Sequence, residues 1–299
     1  MVRLRDLHKS FDKQVVLNGI NLEVARGEVV AIMGSSGGGK TTLLRCVSGL
    51  LPPTSGEIVV DDIDVLTNPE EARHRMGMVF QSAALFDYMS VFDNVLFGIR
   101  RQLRLNAKEQ KDVAREALER VGLLEDEDKM PAELSGGMRK RVGIARAIAL
   151  KPKVMLYDEP TTGLDPITAY TIDKLIADLR NDLKITTLVV SHDVSSVFRI
   201  ADRIAFLHEG NLIFTGSPED FAKSHEASIT ELVSKSQATS FFLTPKLVRM
   251  YSPVLPARGR EKEEGDVLSG GAGCLSQNIR IRTRADPRLD CNRQPAPYR

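Results

Sequence analysis

The chain has 299 residues, 42% of them hydrophobic and 27% charged, with a formal net charge of +1. That length accommodates one large domain with appendages. No run approaches the ~20 apolar residues of a membrane-spanning helix, and the near-neutral balance leaves no nucleic-acid footprint. Three cysteines at unrelated positions (Cys46, Cys274, Cys291) fit neither a disulfide framework nor a metal knuckle, so reduced thiols in a cytosolic setting are expected.

In chain order, Met1-Val2-Arg3-Leu4-Arg5 enters a strand pattern at once, and no signal peptide is expected. Lys9-Ser10-Phe11 precedes a second strand pattern at Val15-Val16-Leu17. The apolar run 28–33 then reads as a buried parallel strand. It leads into Gly34-Ser35-Ser36-Gly37-Gly38-Gly39-Lys40-Thr41-Thr42, and a helical stretch follows over 42–47. Strand, glycine-rich loop and helix in this order make a phosphate-binding loop. The glycines let successive N–H groups turn inward toward phosphate oxygens, and the helix N-terminus adds partial positive charge. Lys40 can reach the β- and γ-phosphates, and the Thr41 hydroxyl can ligate Mg²⁺. A nucleoside triphosphate is the ligand this loop implies.

Further on, Met78-Val79-Phe80 reads as a strand closed by Gln81. Residues 82–150 read as a helical insertion. Ser90-Val91-Phe92-Asp93 resembles a capping box, with Val91, Val95, Leu96 and Ile99 on one face. A second helix is expected over 108–121, aligning Val113, Ala117, Leu118 and Val121. Ser135, Gly136 and Gly137 open a third, whose apolar positions are Val142, Ala145, Ile148 and Ala149. A helix beginning Ser-Gly-Gly exposes N–H groups and a hydroxyl, which makes a second anion-binding device.

The strand Val154-Met155-Leu156-Tyr157 delivers Asp158-Glu159 at its C-terminal end. Asp158 suits Mg²⁺, and Glu159 suits the orientation and deprotonation of an attacking water. Gln81, His192 (after 187–191) and Asp165 (after Thr162-Gly163-Leu164) fall at the ends of expected strands, where an open α/β sheet places its ligands.

The phosphate loop, Gln81, Leu134-Ser135-Gly136-Gly137, Asp158-Glu159, Asp165 and His192, in that order, resemble the motif set of an ABC-transporter ATPase subunit over roughly residues 1–225. The resemblance implies an α/β P-loop NTPase fold with a RecA-like core, an antiparallel β subdomain and an inserted α-helical subdomain. It implies ATP and Mg²⁺ as ligands. Phe11 matches the aromatic residue that stacks on adenine, and Asp165 joins the nucleotide-contacting set with residues 34–42. Thr41, Gln81 and Asp158 match the Mg²⁺ site, while Glu159, His192 and Gln81 match the catalytic set. Ser135, Gly136 and Gly137 match the signature that contacts the γ-phosphate of ATP held by a second subunit, so two copies pack head-to-tail. A membrane permease, docked near the apolar-rich patch 83–89, is the further partner implied. Peripheral residence on the cytoplasmic face of the inner membrane follows.

Met138 stands where the signature usually has Gln, and Arg139-Lys140-Arg141 follows. That string, Ser82-Ala83-Ala84-Leu85-Phe86-Asp87 and the Asp158-to-Thr168 segment are similar to the ATPase of MCE-associated, Mla-type lipid transporters. Such systems imply an MCE-domain partner and a phospholipid or other apolar cargo. Two alternatives are an importer of polar solutes such as amino acids and a regulatory ABC ATPase controlling cell-wall enzymes. A nucleic-acid-associated ABC protein fits less well, because the chain has one cassette and no heptad run.

Ser217-Pro218-Glu219-Asp220-Phe221 is expected to start a last helical stretch reaching about residue 235, within a C-terminal helical extension over 226–244. Residues 245–299 hold eleven Lys/Arg against six Asp/Glu and six of the fourteen prolines, with no sustained period, and read as a disordered basic tail. A solvated tail, a basic arm on anionic lipid and non-native coding sequence are the three readings of it. Leu268-Ser269-Gly270-Gly271 lies in this tail without a following helix and is set aside as a decoy.

Overall fold

Strands of mixed apolar and polar residues build one sheet, and continuously buried, mostly apolar strands such as 29–34 and 154–158 build a second. The computed structural model describes residues 1–239. The expected tail over 245–299, with Cys274, Cys291 and the decoy, lies outside the described residues. So does 240–244, the end of the expected helical extension.

The first sheet is antiparallel. β1 (Val2–Phe11) pairs with β2 (Gln14–Val24) on one edge and β4 (Ser55–Val60) on the other, and the two-residue β5 (Ile63–Asp64) completes the order β2-β1-β4-β5. The second sheet contains β3 (Val29–Gly34), β6 (Met76–Val79), β7 (Val154–Asp158), β8 (Thr186–Val190), β9 (Arg203–His208) and β10 (Asn211–Gly216). Its order is β10-β9-β3-β8-β7-β6, parallel except for the antiparallel edge strand β10.

The parallel strands bury both faces, as crossover-connected strands must. One face (Val30 and Ile32 of β3, Leu156 of β7, Leu188 of β8) packs on Leu43, Leu44 and Val47 of α1 (Lys40–Val47) and on the first sheet through Leu4 and Leu17. The other (Val29, Ala31, Met33, Met155, Tyr157) packs on the helices between residues 91 and 200 and on Phe221 and Ile229. A short helix, α2 (Pro69–Arg75), leads into β6. Between β6 and β7 run α3 (Val91–Gln102), α4 (Ala107–Arg120) and α5 (Gly136–Ile148), with 3-10 turns at Leu124–Asp126 and Pro131–Glu133. This is the helical insertion expected over 82–150. α6 (Pro166–Leu183) and α7 (Val194–Ile200) flank β8.

Three expectations need correction. Ser90 does cap α3, its hydroxyl oxygen accepting from the Asp93 N–H at 3.1 Å, but Asp93 returns to the Ser90 hydroxyl rather than its backbone. The full capping box lies instead at α4, where Asn106 and Glu109 bond each other's backbones. Glutamate has the extra methylene for that return reach, and aspartate does not. Thr162-Gly163-Leu164 is a turn, not a strand end; Gly163 has φ +80°, and Asp165 is the N-cap of α6. The stretch from Ser217 splits into α8 (Pro218–Ala222) and α9 (Ala227–Thr239). The buried Phe221 ring, packed on Phe198, Phe206 and Phe214, pins the first piece to the sheet, and the Lys223 N–H turns back to close it.

α6 follows the loop after β7 and α7 the loop after β8, and one buried carboxylate joins the two helices. Asp173 of α6 accepts from Arg199 Nη2 at 2.7 Å, from Arg199 Nε at 2.9 Å and from the Ser196 hydroxyl, both partners lying on α7. Asp173→Ala leaves the Arg199 cation and the Ser196 hydroxyl without that partner. A loss of about 3 kcal/mol in unfolding free energy is expected by chemical denaturation. A change within about 0.5 kcal/mol, the level of an ordinary surface substitution, would mean that this pair does not join the helices.

Candidate active site

β3 ends at Gly34, whose φ is +151°; a Cβ there would lie 2.0 Å from the Leu207 carbonyl oxygen of β9. Only glycine lets the chain leave the strand in this place. Gly39, the N-cap of α1 with φ +95°, is similarly hemmed in by Val16 O at 2.8 Å and Leu17 Cδ2 at 2.9 Å. Ser35, Ser36 and Gly37 are exposed between these fixed points, and the Gly38 N–H closes a turn on Ser35 O at 3.1 Å. Thr42 is half-buried in the first turn of α1. The Lys40 ammonium folds back into the loop and donates to Gly34 O at 3.0 Å and Ser35 O at 2.8 Å. Burial holds its pKa below the ordinary lysine range, while Glu159 and Asp158 oppose that shift.

Asp158 closes β7 with 6% exposure. Its Oδ1 accepts from the Thr41 hydroxyl at 3.1 Å, joining the acidic strand to the phosphate loop across 117 residues of chain. Burial raises the Asp158 pKa, and the Thr41 hydrogen bond works against that rise. Thr41 and Asp158 thus present two hard oxygens side by side, a donor set suited to Mg²⁺. Among the described residues no group of three or more His, Cys, Asp or Glu side chains is placed to cage a metal. Mg²⁺ requires no such cage, since it takes one or two protein oxygens and completes its shell with water and phosphate.

Glu159 follows with φ +48°, the left-handed region that non-glycine residues avoid. Its N–H donates to Val190 O of β8 at 2.9 Å. Its Oε2 accepts from Gln81 Nε2 at 3.1 Å and from the Thr162 hydroxyl at 3.0 Å, and His192 Nδ1 lies 3.4 Å from Oε1. Three loops, after β6, β7 and β8, therefore close on one carboxylate.

Lys40, Thr41, Asp158, Glu159, Gln81 and His192 thus gather at the C-terminal edge of the parallel sheet. Outside the phosphate loop, the sequence candidates Phe11, Ser135, Gly136, Gly137 and Asp165 make no hydrogen bond to that group among the described residues. Phe11 ends β1 with 46% exposure, one ring face covered by the Lys9 ammonium 4.8 Å from the centroid. Asp165 caps α6 through Ile167 N–H at 3.1 Å and Thr168 N–H at 3.0 Å, and its hydrogen bonds, that with the Thr168 side chain foremost, lower its pKa. Ser135 caps α5, accepting from Met138 N–H at 3.2 Å. Gly136 and Gly137 pass close to Leu164 and Thr168 at the start of α6; a Cβ on Gly137 would come within 2.4 Å of Thr168 Cγ2.

Sequence reasoning missed Thr162 and two cations of α5, the buried Lys140 and the half-buried Arg146. Lys140 donates to the backbone oxygens of Gln81 and Glu159. Arg146 donates to those of Ala83 and Ala84 at 2.8 and 2.7 Å. Spacing carried a signal: Lys140 lies three residues from Gly137 and four from Ile144, on the buried side of the helix.

Comparison with known proteins agrees with this geometry. The family model described as ABC transporter matches residues 17–162. The chain is 40% identical over 227 residues to the glutamine transport ATP-binding protein GlnQ of Escherichia coli, covering 75% of this chain and 94% of that protein. It is 42% identical over 237 residues to the intermembrane phospholipid transport system ATP-binding protein MlaF of Haemophilus influenzae, covering 78% and 90%. The dimeric post-hydrolysis structure of the ATP-binding cassette MJ0796, bound to ADP and Pi, superimposes with a TM-score of 0.68 at 32% identity, covering 73% of this chain and 99% of that one. A phosphate loop tied to an acidic strand in this fold, and relatives matched over nearly their whole length, place the chain in the ABC transporter family as an ATP-hydrolysing ATP-binding cassette.

Proposed function

We propose that this chain powers a membrane transporter of phospholipid or another lipid, acting as a head-to-tail dimer on a permease with an MCE-domain protein as the third component. The observation that carries the ATPase part is the closure of Gln81, Thr162 and His192 on the Glu159 carboxylate, beside the Thr41–Asp158 pair. The lipid part rests on Met138-Arg139-Lys140-Arg141 and on the similarity to the phospholipid-transport protein of Haemophilus influenzae. The similarity to the Escherichia coli glutamine-transport protein is of equal size and favours a polar-solute importer as the second reading.

In the proposed mechanism the exposed face of Phe11 stacks on adenine. The inward N–H groups of residues 34–42 cradle the phosphates, and Lys40 exchanges its two loop carbonyls for phosphate oxygens. Thr41, Asp158 and the Gln81 amide oxygen would hold Mg²⁺, which neutralises charge developing on the β- and γ-phosphates. Glu159 takes the proton of the attacking water, His192 holds the water and γ-phosphate in line, and Gln81 links the site to the permease contact at 83–89. Ser135, Gly136 and Gly137 close over the γ-phosphate held by the partner subunit, with Asp165 beside them at the shared face. Among the described residues no helix is long and apolar enough to cross a membrane, which accords with attachment through a permease at the membrane's cytoplasmic face.

Glu159→Gln keeps the size of the side chain and its contact to Thr162 while removing the base. Unchanged ATP binding and a fall in turnover of ~10²-fold or more are expected in a steady-state phosphate-release assay. Retained hydrolysis would give the proton to another group. Lys40→Ala is expected to abolish ATP-dependent dimerisation, read by size-exclusion chromatography with and without ATP. A variant that still dimerises would remove Lys40 from the phosphate site. For the cargo, the tagged chain is recovered from detergent-solubilised native membranes and analysed by mass spectrometry. A permease and MCE-domain protein with bound lipid are expected; a solute permease in their place would establish the second reading.

A further inference from the structure

The main chain of Glu159, beneath its carboxylate, is held by a cation from α5. Lys140 is 6% exposed. Its ammonium donates to the backbone oxygen of Glu159 at 3.1 Å and to the backbone oxygen of Gln81. These two residues also bond each other through their side chains, Gln81 Nε2 to Glu159 Oε2. Lys140 therefore closes a ring: ammonium, Gln81 main chain, Gln81 amide, Glu159 carboxylate, Glu159 main chain and back.

Both strands of that ring need holding. Glu159 sits in the left-handed region at φ +48°, and Ala83 and Ala84, just past Gln81, sit there too at φ +61° and +47°. Three non-glycine residues in this conformation persist only where surrounding contacts impose them. The contacts come from one face of α5. Lys140 grips Glu159 and Gln81, Gly143 lies against Ala83, and Arg146 grips Ala83 and Ala84. A buried lysine, where the other buried residues of α5 are glycine, alanine, valine and isoleucine, is an expensive choice if its task were only packing.

We propose that Lys140 is a positioning residue for ATP hydrolysis, tying the Gln81 loop to Glu159 so that the carboxylate is set by the same helix that begins at Ser135, Gly136 and Gly137. The inference rests on the role of Glu159 proposed above and adds a coupling to it. Whatever engages the N-terminus of α5, two turns or less away from Lys140, moves the anchor of the base. Nucleotide binding does not pass through this lysine: the phosphate loop has its own cation in Lys40.

The test compares Lys140→Met, Lys140→Gln and Lys140→Arg in the full chain, with Glu159→Gln in the same assays. Three quantities are read: kcat for ATP, affinity for a fluorescent ATP analogue, and Tm. Methionine removes the charge and both donors at similar length, glutamine is too short to reach both carbonyls, and arginine restores a cation with several donors. A misplaced base costs rate rather than binding, so kcat is expected to fall by about 10-fold to 10²-fold in the methionine and glutamine variants. Nucleotide affinity should change by less than about 3-fold, and arginine should recover much of the rate. Rate loss that arginine does not repair, or that appears only with an equal loss of affinity or of folded protein at assay temperature, overturns the positioning role. So does unchanged kcat in either neutral variant while Glu159→Gln is inactive. Should Glu159→Gln itself hydrolyse ATP, the reading of the site fails first, and the Lys140 inference falls with it.

Discussion

Hydrogen-bond register in the parallel sheet is the constraint from which the site follows. β3 pairs with β8 so that Ile32 faces Val190; β8 pairs with β7 so that Val190 faces Asp158; β7 pairs with β6 so that Tyr157 faces Val79. The chain therefore leaves four strands at one level, and what it carries next arrives side by side: Gly34 and the phosphate loop, His192, Glu159, and Gln81. A slip of one residue in any pair would turn that strand's buried set to the wrong face. The apolar packing on both sides of the sheet thus fixes the position of groups that are themselves polar. The Thr41–Asp158 bond and the cluster on Glu159 are the consequences.

Much of this was legible in the residues. A glycine-rich loop between an apolar strand and a helix has few other uses, and its demands are visible in the backbone: Gly34 and Gly39 occupy places where a Cβ would strike a neighbouring strand. Asp158 and Glu159 were legible because they end an apolar run. Asp165 was placed wrongly because Thr162-Gly163-Leu164 has strand-like composition, whereas the left-handed Glu159 and Gly163 fold it into a turn. The split between α8 and α9 was hidden because Phe221 acts through rings far along the chain. Lys140 was passed over as one member of a basic string. Its neighbours Arg139 and Arg141 reach the backbone oxygens of Leu134 and Val121, so three adjacent cations serve three different segments. Composition cannot separate them, and only the helix phase does.

Two glycine-bearing helix N-termini lie in the chain, and among the described residues no hydrogen bond joins them. α1 begins at the phosphate loop, and α5 begins at Ser135, packed on the start of α6. In the head-to-tail dimer proposed above, the end of α5 from one chain would meet the loop of the other; MJ0796, similar to this chain, is dimeric in its structure with ADP and Pi. Under that proposal the helix facing the partner's nucleotide is also the helix whose Lys140 bonds the main chain of Glu159.

A site shared between two chains is tested most directly by complementation. Lys40→Ala disables the phosphate loop and Ser135→Arg disables the signature end, so each variant alone makes two defective sites. In a mixed dimer the unaltered loop of one chain meets the unaltered signature of the other, and one of the two sites is whole. Mixing the two inactive proteins should therefore restore ATP hydrolysis, measured by phosphate release, well above the sum of the separate rates. Activity that stays at that sum, with mixed dimers present, would contradict the account.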